Sequence, residues 1–98
     1  MTSAQAQPKI QLTNTPDYRE KYANSVQMRM SLWDFFLMFG TFSQTAPDVV
    51  TIQNFQGIYL SPPQAKALSN ALLQNLKQYE AAFGEIRLET QTPGEVIQ

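Results

Sequence analysis

Phe35-Phe36-Leu37-Met38-Phe39-Gly40-Thr41-Phe42 is the stretch that decides the fold. Eight residues with four Phe, interrupted by a glycine and bounded by turn signals, are too short and too aromatic for a buried helix segment and read as a β-strand. Successive side chains of a strand point to opposite faces, which puts Phe35, Leu37 and Phe39 on one side and Phe36, Met38 and Phe42 on the other. An antiparallel sheet with one face in water alternates apolar with polar residues. This strand is apolar on both sides, so both of its faces need cover.

Toward the N-terminus the pattern has period two over 22–30. Tyr22, Asn24, Val26, Met28 and Met30 fall on one face and Ala23, Ser25, Gln27 and Arg29 on the other, the mark of a half-buried strand. Ser31-Leu32-Trp33-Asp34 is the connection. Toward the C-terminus, Ser43-Gln44-Thr45-Ala46-Pro47-Asp48 reads as a loop, followed by a third strand over 49–60. Its alternation sets Val50, Ile52, Ile58 and Leu60 on one face against Val49, Thr51, Phe55 and Tyr59 on the other. Gly57 marks either a bulge or a close approach of backbone.

Ser61-Pro62-Pro63-Gln64 then announces a helix: an N-cap Ser61, a proline where the missing N–H costs nothing, and Gln64 placed to complete a capping box. The stripe Ala65, Leu68, Ala71, Leu72, Leu76, Tyr79 and Phe83 follows the spacing of one helical face, and Gly84 supplies the positive-φ residue that ends it. Ile86 and Leu88 alternate with charged residues, as a short fourth strand or an extended tail.

These elements predict an α+β domain: an antiparallel meander of three or four strands packed against one long C-terminal helix. The helix covers one sheet face, and the chain has no second helix for the other. Homodimerisation supplies that layer, with Phe35, Phe36, Leu37, Met38, Phe39, Phe42, Phe55 and Tyr59 as candidate interface residues. Charged residues make up 15% of the 98 residues, against about 25% in typical domains. From 23 to 83 only Arg29, Asp34, Asp48, Lys66, Lys77 and Glu80 are charged. Interface cores are depleted in charge and enriched in aromatic residues and Met, so the deficit agrees with self-association.

The domain is expected over residues 21–89, between a polar, disordered arm at 1–20 and a flexible tail at 90–98 in which Pro93-Gly94 breaks any regular element. The absence of His and Cys removes imidazole bases, thiolates, disulfides and the usual zinc ligands. Asp34 and Asp48 read as turn residues, Lys66 as solvated, and Lys77 with Glu80 as an exposed pair, so no catalytic, cofactor or metal residue is assigned and an enzyme is not expected. A net charge of −1 argues against nucleic acid, and no apolar run is long enough to span a membrane. Nor does the start of the chain read as a secretory signal, so a soluble cytoplasmic protein is expected.

The expected function is therefore a non-enzymatic, oligomeric interaction protein, an adaptor or holdase-like module whose partners are itself and a polypeptide client. The alternative is single-stranded nucleic-acid binding, with Trp33, Phe35, Phe39, Phe55 and Tyr59 as stacking platforms.

Tyr22-Ala23-Asn24-Ser25-Val26, Trp33-Asp34-Phe35-Phe36-Leu37 leading to Phe39-Gly40, Leu60-Ser61-Pro62 with Ala65-Lys66-Ala67-Leu68, Asn75, Tyr79-Glu80 and Phe83-Gly84-Glu85-Ile86 carry a family resemblance. Over about residues 21–88 the chain resembles the small prokaryotic domain-of-unknown-function family 3467. The resemblance implies a stand-alone protein of about this length and carries no activity with it. In outline, antiparallel strands followed by a long helix also resemble the export chaperone SecB, at the level of fold alone.

Overall fold

The structure, a computed structural model, describes residues 7–88, so the expectations for 1–6 and for 89–98 lie outside the described residues. Four elements follow one another: β1 (Ser25–Met30), β2 (Phe35–Ala46), β3 (Val49–Leu60) and α1 (Pro62–Phe83). The strands form one antiparallel sheet in the order β1-β2-β3. A three-stranded meander followed by one helix is thus the architecture, and residues 84–88 add no strand to it.

β1 begins at Ser25, not at Tyr22. Asn24 is where the ladder ends: its N–H donates to the Gly40 carbonyl at 3.1 Å, and its side-chain oxygen accepts from the Phe42 N–H at 2.8 Å. The side chain replaces the backbone acceptor that a longer β1 would have offered, which frees the preceding chain to leave the sheet. β2 runs on through the supposed loop to Ala46, and the hairpin closes on Pro47-Asp48 alone. Gln44 Nε2 fastens that turn by donating to the Pro47 carbonyl at 2.8 Å. The polar run Ser43-Gln44-Thr45 forms strand because ladder bonds come from the backbone, whatever the side chains are.

A bulge redistributes the side chains of β3. Phe39 pairs with Gln56 and Gly40 with Asn54, so Phe55 is the extra residue. The bulge therefore sits at Phe55 and not at Gly57. On one face the register stacks three cross-strand rows: Met30, Phe35 and Leu60; Met28, Leu37 and Ile58; Val26, Phe39 and Gln56. Arg29, Phe36 and Tyr59 share the other face, with Gln27, Met38 and Gly57 beside them. Beyond the bulge, Val50 and Ile52 join this second face opposite Gln44 and Phe42. Unbroken alternation had put Ile52 with Ile58 and Phe55 with Tyr59; the bulge places each pair on opposite faces. Gly57 is instead a close approach, since a Cβ there would stand 2.7 Å from Phe36 Cζ.

The helix has the bounds expected. Ser61 Oγ accepts from the Gln64 N–H at 3.3 Å, and Gly84, at φ 105° and ψ 167°, ends α1 by donating its N–H to the Glu80 carbonyl at 2.9 Å. Its packing differs from expectation: no residue of α1 is buried, and the helix does not lie on its own sheet. The cause is the joint. A single residue, Ser61, separates β3 from α1. A residue before proline is held to extended backbone, as at φ −65° and ψ 154° here, and Pro62 and Pro63 fix the next two φ angles. Folding back along the sheet takes a connection of about 2–6 residues. The chain measures 68 × 35 × 30 Å with a radius of gyration of 18.2 Å, where a compact chain of this length has about 13 Å.

Candidate interaction surfaces

The face that carries Leu37 is the more apolar. Leu37, 7% exposed, is the one buried hydrophobic residue among the described residues, held between Met28 and Ile58 of its own row. The residues before β1 cross the far part of this face. Lys21 Nζ sits 4.8 Å from the centre of the Phe55 ring, a cation–π contact. Asp17, Arg19, Lys21 and Ala23 enclose a cleft of about 190 Å3 with Phe39, Phe55, Gln56 and Ile58. Two local hydrogen bonds shape this crossing. Thr15 donates to Asp17 at 2.6 Å and holds its carboxyl below the usual carboxylate range, while Tyr18 donates its hydroxyl to Glu20 at 2.7 Å, which pushes the phenol above its ordinary value. Ile58 brings the end of the Leu37 row into this cleft, while the row of Met30, Phe35 and Leu60 lies nearer the helix.

The opposite face is dressed by its own polar groups. The Arg29 guanidinium lies 4.4 Å over the Phe36 ring, and Phe36 in turn meets Tyr59 at 4.4 Å between ring centres. Such contacts contribute roughly 0.5–1 kcal/mol each at exposed sites. Asn54 Nδ2 approaches Gln27 Oε1 at 3.5 Å and Met38 Sδ at 3.8 Å. A planar cation over an aromatic ring tolerates water, which this face meets as it stands.

Two further apolar surfaces face outward. One is the stripe of α1, where Leu72, Tyr79 and Phe83 are exposed, Phe83 at 75%, and Tyr79 and Phe83 stack on each other at 4.9 Å. By helical period Lys66, Lys77 and Glu80 fall outside the stripe. Glu80 accepts from the Ile86 N–H at 3.0 Å, an alternative to the pairing with Lys77 read from the sequence. The other is the tip of the β1–β2 hairpin. Ser31 Oγ accepts from the N–H groups of Trp33 and Asp34 at 3.1 and 3.2 Å, and the Ser31 N–H donates to the Asp34 carbonyl at 2.9 Å. This braced turn carries Leu32 and Trp33 at 80% and 76% exposure.

The predicted interface residues thus divide: Phe35, Leu37, Phe39 and Phe55 share one face, Phe36, Met38, Phe42 and Tyr59 the other. Lys21 was missed as a surface residue because its partner, Phe55, changes face at the bulge. Leu32 was missed because it reads as linker; a Leu-Trp pair where hairpin tips favour Gly, Asn or Asp was the available signal. Among the described residues no group of three or more His, Cys, Asp or Glu is placed to hold a metal ion, and no helix is long and apolar enough to cross a membrane.

The sequence profile of a family described as protein of unknown function (DUF3467) matches residues 1–88. The chain belongs to the DUF3467 family. No curated protein and no solved structure matches it. The DUF3467 match takes in the segment that crosses the sheet as well as the sheet and the helix, so the Lys21–Phe55 contact lies inside the family unit.

Proposed function

We propose that this DUF3467 protein is a non-enzymatic homo-oligomer, at least a dimer, that holds extended segments of other polypeptides as an adaptor or holdase-like module. The observation that carries the self-association is the burial of Leu37 alone among the hydrophobic side chains of the described residues. Folding requires burial of apolar surface large enough to offset about 1–2 kcal/mol of backbone entropy per ordered residue, and one buried leucine does not approach that. A second copy is the economical source of the missing burial, and sedimentation at low micromolar concentration is expected to show no species of 11.1 kDa. A stable monomer there refutes the self-association.

The polypeptide client is supported by β3. Its outer side is a sheet edge twelve residues long, with no proline and no charged side chain, where such edges are normally blunted by both. An open edge accepts another strand through backbone bonds, while neighbouring pockets take alternate side chains. The test is titration with an unstructured apolar peptide at about 50 and 300 mM salt: binding nearly independent of salt and with a negative heat-capacity change is expected. A second reading, single-stranded nucleic acid, is favoured by the two cations on aromatic rings, Arg29 on Phe36 and Lys21 on Phe55. They lie on opposite faces and share no groove. Tight oligonucleotide binding that weakens steeply with salt, without peptide binding, would reverse the order of the two readings.

A further inference from the structure

We infer that the dimer is built by exchange of helices: the apolar stripe of α1 in each copy lies on the Leu37 face of the other. This rests on the self-association proposed above and names the surface and its occupant. Three observations converge on it. First, the helix cannot cover its own sheet, because one residue joins β3 to α1 and its backbone is fixed by the prolines that follow. An element that a short, stiff hinge denies to its own chain is the element that copies of a chain exchange.

Second, the stripe is more than long enough to cover the apolar rows. The stripe from Ala65 to Phe83 covers about 27 Å at about 1.5 Å per residue. The two rows nearest the helix, Met28, Leu37 and Ile58 with Met30, Phe35 and Leu60, contain no polar side chain and measure about 10 Å across three strands and about 7 Å along them, so about two turns of the stripe fill them. The Lys21 crossing over Phe55 bounds this floor on its far side. Third, the choice of face follows from charge. The opposite face carries Arg29 over Phe36, and burying that guanidinium under an apolar stripe would desolvate it without an acid to pair it. The rows of Leu37 and Phe35 carry no charged side chain of their own, and the charges on that face, Asp17, Arg19 and Lys21, belong to the crossing segment at its far side. Two-fold exchange makes the contact twice, since each copy gives one stripe and one face, which is how a domain this small reaches on the order of 800 Å2 per partner.

The chain contains no cysteine, so single thiols report the contact directly. Leu72→Cys protein and Met28→Cys protein, mixed, unfolded and refolded together, are expected to give a covalent 72-to-28 heterodimer with a short bis-maleimide. Products joined only 72-to-72 would mean helix on helix and overturn the exchange while leaving a dimer. In the second experiment Gly-Ser-Gly-Ser is inserted between Leu60 and Ser61. The lengthened chain is expected to sediment at 11.1 kDa plus the insert with helix content unchanged, against twice that mass for the native chain. A lengthened chain that stays fully dimeric overturns the inference. A native chain that is itself monomeric overturns self-association altogether.

Discussion

The tip of the Phe36 ring comes up against Gly57, so near that a Cβ at 57 would meet both Phe36 Cζ and Cε1 inside 3 Å, at 2.7 and 2.9 Å. The absent side chain leaves room for the ring between Arg29 and Tyr59.

Gly57→Ala is expected to push Phe36 off this site and to cost about 1–3 kcal/mol, the usual result of overfilling a packed contact. Gly40→Ala should cost more. There the Cβ meets the Gln53 carbonyl at 2.5 Å, and a ladder carbonyl cannot rotate away as a ring can. Urea midpoints of the two variants at equal protein concentration check the order.

Removal of Phe55 deletes the bulge. Asn54 and Gln56 then become neighbours, and because they already pair with Gly40 and Phe39 on opposite faces, the ladder turns regular and every side chain of β3 keeps its face. The deletion is expected to keep cooperative unfolding and, like Phe55→Ala, to lose the contact with Lys21 and the cleft wall. Thermal melts followed by circular dichroism check that both variants unfold cooperatively.

At the ends of α1, Ser61→Ala should cost about 1 kcal/mol through the lost bond to the Gln64 N–H. Gly84→Ala should cost about 1–3 kcal/mol, because φ 105° with ψ 167° is open to glycine alone; its Cβ would touch nothing, so the loss is purely conformational. Unchanged denaturant midpoints in either variant contradict the corresponding end of the helix.

Stability is expected to be flat from about pH 5.5 to 8.5. Asp17 is depressed by the Thr15 bond, so its contribution is present above the ordinary carboxylate range and is lost as pH falls through its lowered value. Tyr18 is raised by Glu20, so its contribution is present below the ordinary phenol range and is lost as pH rises through the raised one. Both windows fall outside the interval, and the chain has no histidine to titrate within it. Urea denaturation at three pH values in this interval should give one midpoint.

What the residues reveal directly is what local chemistry determines. Ser61-Pro62-Pro63-Gln64 and Phe83-Gly84 fix a helix whose bounds are those observed, and the double-faced aromatic run places β2 at the centre of the sheet. The faces of β3 were legible only up to Phe55, since a bulge inverts phase without any glycine to announce it. Ser43 to Ala46 look like a loop because Ser43, Gln44 and Thr45 are polar, although Ser43, Gln44 and Ala46 pair with β3. The open helix was legible in principle: the length of the Ser61 joint, not the apolar stripe, decides where α1 goes.

That joint also sets an order of events in time. The two turns of the sheet are short, four residues at Ser31 to Asp34 and two at Pro47-Asp48, so the strands need only neighbours in sequence and close on the roughly 1–10 μs scale of hairpins. The helix is the last of the described elements, and in the exchanged dimer proposed above its cover arrives by collision with another molecule. Maturation of that dimer would be second order: doubling the number of molecules would halve the time each spends waiting with its aromatic floor uncovered, and expression level would become a determinant of folding yield.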